Sequence, residues 1–478
     1  MMIEILLIFP LIASLILFFA RSKNLNDYAL IIYAILYPFI AICLYLNKTE
    51  NPSFQNYFMV DQLNILFLLI LAIIFTGVAF YNLGFTQASD IDNIQHTHYS
   101  IGILLFIFSM TGAILSTNLG LSWVFIEATT LASAYLIYFN KTKHALEAAW
   151  KYVFICSIGI SLAFVGIILL LIGTESANSL FFSDLYTNAA KLNPFWLKLS
   201  FVFILIGIGT KMGLAPVHAW LPDAHSEAPS PISALLSAAL LNSAFLVILR
   251  VFKLMELTHL DHYARILLIS MGILSLFVTA VFVFNINNYK RMLAYSSIEN
   301  MGIIVIGIAV GGLGVYAAML HLIGHSLIKA SFFLTAGNIL KKFETKKISD
   351  ISGILKVDKT TGWLWILSFI GIAGLPPSPL FLSEFILLKT MLEKNQIIPA
   401  LIIMLLLTVI IYGIGKSVIK MSFGDIKIPQ IEYKSQKINL AMYLPQVALI
   451  AGALTLGIYI PPYINQIINN AVLAISSL

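Results

Sequence analysis

The sequence predicts an all-α polytopic membrane protein of about fourteen transmembrane helices, built on two inverted five-helix repeats that each contain a broken helix. Three observations predict it. Apolar residue types fill 60% of the 478 positions and charged ones only 10%, a composition too oily for a soluble fold and leaving no large soluble domain. Apolar runs of about 20 residues, the length that crosses ~30 Å of hydrocarbon, succeed one another through nearly the whole chain. Two of these runs are interrupted, one at Gly213 and Pro216 and the other at Gly374, Pro376 and Pro377, and each follows a lysine-led helix.

The expected spans are 2–20, 28–46, 62–85, 100–116, 119–140, 150–173, 198–221, 232–250, 264–286, 297–314, 316–340, 362–390, 397–421 and 439–460. The first is read as a retained helix rather than a cleaved signal: no positive cluster precedes it and Arg21 and Lys23 follow it, which sets its N-terminus outside. Loops placed inside then carry Lys141, Lys143, Lys290, Arg291, Lys341, Lys342, Lys346, Lys347, Lys356, Lys359, Lys427, Lys434 and Lys437. Loops placed outside hold Lys48, Lys191, Arg250, Lys253 and Lys394, scattered among acids, so the positive-inside bias puts both termini outside. The basic loops account for most of the net charge of +6, and no nucleic-acid partner is inferred from it.

The spans group as 1–99, three N-terminal helices; 100–250, a first five-helix repeat; 264–421, a second, inverted repeat; and 422–478, a last helix with a short tail. The repeat shows in Lys151, Phe154 and Gly159 of the sixth span, which recur at the same offsets as Lys329, Phe332 and Gly337 of the eleventh. Cys43 and Cys156 fall in apolar runs without metal or disulfide spacing and are read as packing residues.

Ionisable residues inside the spans carry the functional reading. Lys211 stands in the middle of the seventh, where an unpaired ammonium costs roughly 3 kcal/mol. The break after it releases backbone groups that must face protein or water. Glu127, near the middle of the fifth span, should be neutral or paired with a cation; Lys211 is the expected partner, in a functional ion pair or a static one locking two helices. Lys151 is a second candidate, or simply snorkels to the surface. His321, His325 and Lys329 stack along one helix face at four-residue spacing, as a proton wire, a polar packing stripe, or two histidines of a metal site without further ligands. Glu384 follows the second break, and Glu299 opens the tenth span, as a relay or a contact at the membrane boundary. In the hinge, His218, Asp223, His225 and Glu227 form a polar access from inside or an ordinary solvated loop. No metal, redox centre or cofactor is expected.

The stretches KMGLAPVHAWLPDAHSEAPSPISALLSAALLN, YKRMLAYSSIENMGI and HLIGHSLIKASFFLTAG resemble the proton-conducting, antiporter-like membrane subunits of respiratory complex I, multisubunit cation/proton antiporters and membrane-bound hydrogenases. The string DAHSEAPSPISALLS, Glu299 within AYSSIEN, and Asn242 where complex I relatives usually carry a lysine bring the chain nearest to the hydrogenase-4 component F group. The resemblance implies an ion pair of Glu127 with Lys211, a central Lys329 with His325 beside it, and Glu384 as the exit group. It implies a proton- or sodium-translocating subunit in a prokaryotic inner membrane, partnered by other membrane subunits and through them by a hydrogenase or dehydrogenase arm. The chain ends soon after the fourteenth span, which argues against the complex I subunit that carries a long lateral helix. A quinone-binding redox subunit and a structural scaffold are the rival readings from other classes.

Overall fold

The computed structural model describes residues 2–47, 53–54, 56–87, 92–174, 179–425 and 438–475; Lys48, Lys427, Lys434 and Lys437 lie outside the described residues. The helices are α1 Met2–Ala20, α2 Lys23–Asn47, α3 Asn64–Gln87, α4 Asn93–Leu115, α5 Leu119–Ile137, α6 Lys143–Gly173, α7 Phe182–Thr187, α8 Pro194–Met212, α9 Trp220–Glu227 and α10 Ser230–Leu235. A π-helical turn over Leu236–Leu240 leads into α11 Leu241–Leu257, followed by α12 Asp261–Phe282, α13 Tyr289–Val310, α14 Leu313–Phe343 and α15 Ile354–Val357. The chain continues through α16 Lys359–Ile372, α17 Pro379–Glu393, α18 Ile397–Ser422, α19 Leu444–Ile458 and α20 Pro462–Ile475.

Thirteen helical stretches among the described residues are long and apolar enough to span a membrane. The expected twelfth span is divided into the half-helices α16 and α17, neither of which is long enough to cross by itself. Side-chain caps set several starts: Asn118 accepts from Leu121 N at α5, Thr142 from Ala145 N at α6, and Asp358 from Thr361 N at α16, each satisfying a first-turn donor that lipid cannot.

Burial is graded from rim to centre. The most apolar windows of Ser230–Leu257, Tyr289–Val310 and Leu313–Phe343 are wholly buried within the protein, whereas those of α1, α2, α6, α12 and α18 are 39% buried. The rim helices turn side chains such as Phe19 and Ile398 outward, which suits hydrocarbon and would be costly in water. Two of the central three carry Glu299, His321, His325 and Lys329, because a helix sheathed by other helices can supply polar groups with protein partners.

Two elements differ from expectation, the tenth helix and the C-terminal tail, while the seventh helix breaks where Gly213 and Pro216 place the break. The tenth helix begins at Tyr289 rather than 297, because the polar string YKRMLAYSSIEN faces protein and continues the helix. Glu299 therefore sits at mid-helix and is 3% exposed, not at the membrane boundary. The seventh helix stops at Met212 and restarts at Trp220. In place of a plain tail, α20 forms an amphipathic helix whose Ile467, Ile468, Ala471 and Ile475 are buried, packing on α3, α11 and α14.

Candidate functional site

Both helix breaks end in the same hydrogen-bonded motif. Gly213 has φ +78°, its N–H reaches Thr210 O at 3.1 Å, and Leu214 N–H reaches Gly209 O at 3.0 Å. Gly374 has φ +59°, with the paired bonds to Gly371 O at 3.4 Å and from Leu375 to Ile370 O at 3.2 Å. This is a glycine-centred helix stop in a left-handed conformation that a Cβ disfavours. Side chains take up freed backbone groups: Trp220 Nε1 donates to Thr210 O at 2.7 Å, Ala215 N donates to Ser275 Oγ at 2.9 Å, and Ser378 Oγ donates to Gly371 O at 2.7 Å. Pro216 stays exposed, while Pro376 and Pro377 line the loop of the second break.

Lys211, fully buried in the last turn of α8, donates to Tyr152 OH at 2.7 Å, and that hydroxyl shares a 2.6 Å hydrogen bond with Ser133 Oγ of α5. Glu127 is partly buried and accepts from Thr130 at 3.1 Å and from Ser157 at 3.0 Å. The expected direct pair of Glu127 with Lys211 is not made. The helix α6 packs against both α5 and α8, and its Tyr152 and Ser157 take the positions next to the two charges. Lys151 is not the partner of Glu127 either. Its side chain is 48% exposed, bridging Glu147 at 2.6 Å and Asp223 at 3.3 Å, and Asp223 also holds Arg291 at 3.0 Å.

Beyond the hinge the groups converge. His218 is half-buried, its ring 6.4 Å from that of Tyr295. His225 is fully buried, stacked on Phe333 at 4.7 Å, and neither of its ring nitrogens has a hydrogen-bond partner in the protein. Phe333 also lies 5.7 Å from the ammonium of Lys329, so one ring separates the histidine from the lysine. Lys329, in the middle of α14, donates to Leu293 O at 2.6 Å and to Ser296 Oγ. Glu299, on α13, lies within electrostatic reach of both Lys329 and Glu384, and its Oε2 has no protein partner. Glu384 folds back over the second break: a Cβ on Gly374 would stand 2.4 Å from its Oε2, so the glycine makes the room the carboxylate occupies.

The two histidines of α14 differ. His321 is held at both nitrogens, by Ser383 Oγ at 2.9 Å and Asn300 Oδ1 at 2.8 Å. The amide nitrogen of Asn300 is committed to Ser296 O, so its Oδ1 accepts and Nε2 of His321 is assigned the proton. His325, one turn on, has no protein partner at either nitrogen. Between the halves of the site, Asn242 donates to Ser326 Oγ at 2.8 Å and to Ala238 O at 2.8 Å, while Ser237 of the π turn meets Ser297 at 2.8 Å. Among the described residues no group of three His, Cys, Asp or Glu side chains is arranged to hold a metal ion.

Several members of this network were not singled out from the sequence. Tyr152 looks like one more aromatic in an apolar run. Lys290 reads as a loop cation, yet it is 1% exposed and donates to Ala228 O at the end of α9. For both, the polar group becomes distinctive only once the side chain is seen to be buried against other helices.

Residues 116–411 match the family model described as NADH:quinone oxidoreductase/Mrp antiporter, transmembrane. A hydrogenase-4 component F homolog of Methylacidiphilum infernorum is 34% identical over 477 residues, covering 96% of this chain and 97% of that one. A chain in the structure of the membrane-bound sulfane sulfur reductase, an archaeal respiratory membrane complex, superposes with a TM-score of 0.88 at 24% identity, covering 99% of this chain and 97% of its own. A chain of the Mrp complex from Dietzia sp. DQ12-45-1b has the same fold, with a TM-score of 0.87 at 17% identity over 98% of this chain and 96% of its own.

Proposed function

The chain belongs to the NADH:quinone oxidoreductase/Mrp antiporter transmembrane family, and from that premise we propose that it is the proton-translocating subunit of a membrane-bound hydrogenase complex of the hydrogenase-4 or formate-hydrogenlyase type. The observation that carries the reading is the file of titratable groups that runs from Lys211 of α8 through the buried His225 of α9 to Glu299 and Lys329, at mid-helix in two of the three most enclosed helices, and on to Glu384 of α17. Charges enclosed in this way cost stability, and a core serving packing alone is better served by apolar residues, so their presence points to a use. The full-length likeness to a hydrogenase-4 component F homolog favours the hydrogenase assignment over a complex I dehydrogenase or a sodium/proton antiporter.

In this scheme the subunit holds no redox centre. Energy arrives from a peripheral arm through neighbouring membrane subunits as a displacement of charge near Glu127. A carboxylate withdrawn from ~4 Å of an ammonium, or a cation brought to that distance, changes its energy by about 4 kcal/mol at an effective dielectric of 20, enough to make a lysine release its proton. Lys211 passes that proton by way of His225 and the hydroxyls of Ser237 and Ser297 to Lys329; Glu299 receives it, and Glu384 delivers it to the far side. His218 and the Asp223 cluster supply the protons from inside. Residues 100–250 and 264–421 act as the two repeated units, 1–99 as their flank and 422–478 as a closing segment, in a prokaryotic inner membrane with both termini outside.

Lys211→Met is expected to abolish proton uptake into inverted vesicles while the complex still assembles; uptake at the wild-type rate refutes the scheme. Co-purification of a NiFe-hydrogenase large subunit supports the hydrogenase assignment, and co-purification of an NADH- or ferredoxin-oxidising arm replaces it. Uptake that requires sodium changes the coupling ion.

A further inference from the structure

A cavity of about 660 Å³ opens where the ends of α2 and α11 meet the start of α3, the short helix α7 and the amphipathic α20, on the face that carries the N-terminus. We propose that it binds the phosphate headgroup of an anionic phospholipid, with Arg250 and Lys253 as the cationic donors and α20 as its cover.

The charges of the cavity are left unbalanced. Arg250 is 6% exposed and bonds Asp61 Oδ2 at 2.8 Å through one terminal nitrogen, while its buried Nε has no acceptor in the protein. Asp61 has little left to offer, because its other oxygen caps α3 through Leu63 N at 2.9 Å and Asn64 N at 2.7 Å. Lys253, nearly one turn further on, makes no ion pair among the described residues and lies 5.0 Å from the ring of Tyr186. Two cations therefore face one carboxylate, and a planar guanidinium with a free edge is matched by the paired non-bridging oxygens of a phosphodiester.

The rest of the lining separates a lipid from a soluble anion. Gln466 and Asn470, four residues apart on α20, present neutral amide donors to the cavity. Leu44, Leu473 and Ala474 form an apolar lip beside them. A cationic floor, amide walls and an oily rim suit a ligand with a charged head and hydrocarbon tails. The start of α20 and the turn before it expose Ile458, Tyr459 and Tyr463, the residue types that settle at a membrane surface, so the helix lies at headgroup level. The site uses none of the relay residues, so failure of the proton scheme leaves this proposal standing, and the reverse.

The test is photolabelling of the assembled complex in nanodiscs, with phosphatidylglycerol or phosphatidylcholine carrying a photoreactive acyl chain, and mass spectrometry of the labelled peptides. Phosphatidylglycerol is expected to label the segments around 44–65 and 466–474, with phosphatidylcholine labelling them much less. Lys253→Gln should lower that label about fivefold, the weight of one lysine against an anionic surface, while Lys253→Arg retains it and both variants melt with the wild type. Equal labelling by the two lipids, or no change in Lys253→Gln, overturns the proposal. Displacement of the label by millimolar inorganic phosphate also overturns it, in favour of a free-anion site.

Discussion

Lys211 is buried without a carboxylate at bonding distance, its ammonium resting on the hydroxyl of Tyr152 and through it on Ser133. A neutral acceptor offsets part of the desolvation of an ammonium but does not pin the charge as a carboxylate does, which suits a group that gives up its proton. Tyr152→Phe keeps the ring against Trp220, 4.9 Å away, and removes the acceptor. A buried hydrogen bond lost in this way costs about 1–3 kcal/mol, so proton uptake by inverted vesicles should fall by roughly tenfold or more in a complex that still assembles. An unchanged rate removes Tyr152 from the route. Lys211 and Lys329 are legible in the sequence because a lysine amid apolar residues has no cheap alternative. Tyr152 is not, since a tyrosine in an apolar run is equally a packing residue until its hydroxyl is seen to face a cation.

The broken helices are legible at the level of the element, because Gly213 with Pro216, and Gly374 with Pro376 and Pro377, leave few other conformations open. What satisfies the break is not. Trp220, seven residues past the stop, returns to cap Thr210 O beside Lys211, and its indole is fully buried. Trp220→Phe removes that donor and part of a buried ring, and should cost about 1–3 kcal/mol or more, read as a lower melting temperature of the complex. Wild-type melting would show that water or a neighbour caps the carbonyl instead. Two further elements escaped sequence reasoning for a shared reason. In sequence the first half of α13 reads as a polar loop and α20 as a tail, because periodicity judged against lipid misses helices whose polar side faces protein or the membrane surface.

For the molecule as a whole, the gradient from a lipid-facing rim to a sheathed centre decides where charge is tolerated, and the basic loops propose which face is inside. In a variant lacking Cys43 and Cys156, a membrane-impermeant thiol reagent is expected to label Tyr57→Cys in intact cells and Lys347→Cys only after permeabilisation; the opposite pattern inverts the orientation and the direction of the route. By itself the sequence determined the many-helix membrane architecture, both breaks and the identity of the deepest cations, because hydrophobic length and the cost of burying charge are written in composition and spacing. Only the tertiary structure decided that Glu127 and Lys211 stand apart, that Lys151 reaches the surface, and that Glu299 lies at mid-depth beside Lys329 and Glu384. Those outcomes depend on which helix is placed between which, and contacts between helices far apart in the chain leave no trace in the local pattern of either.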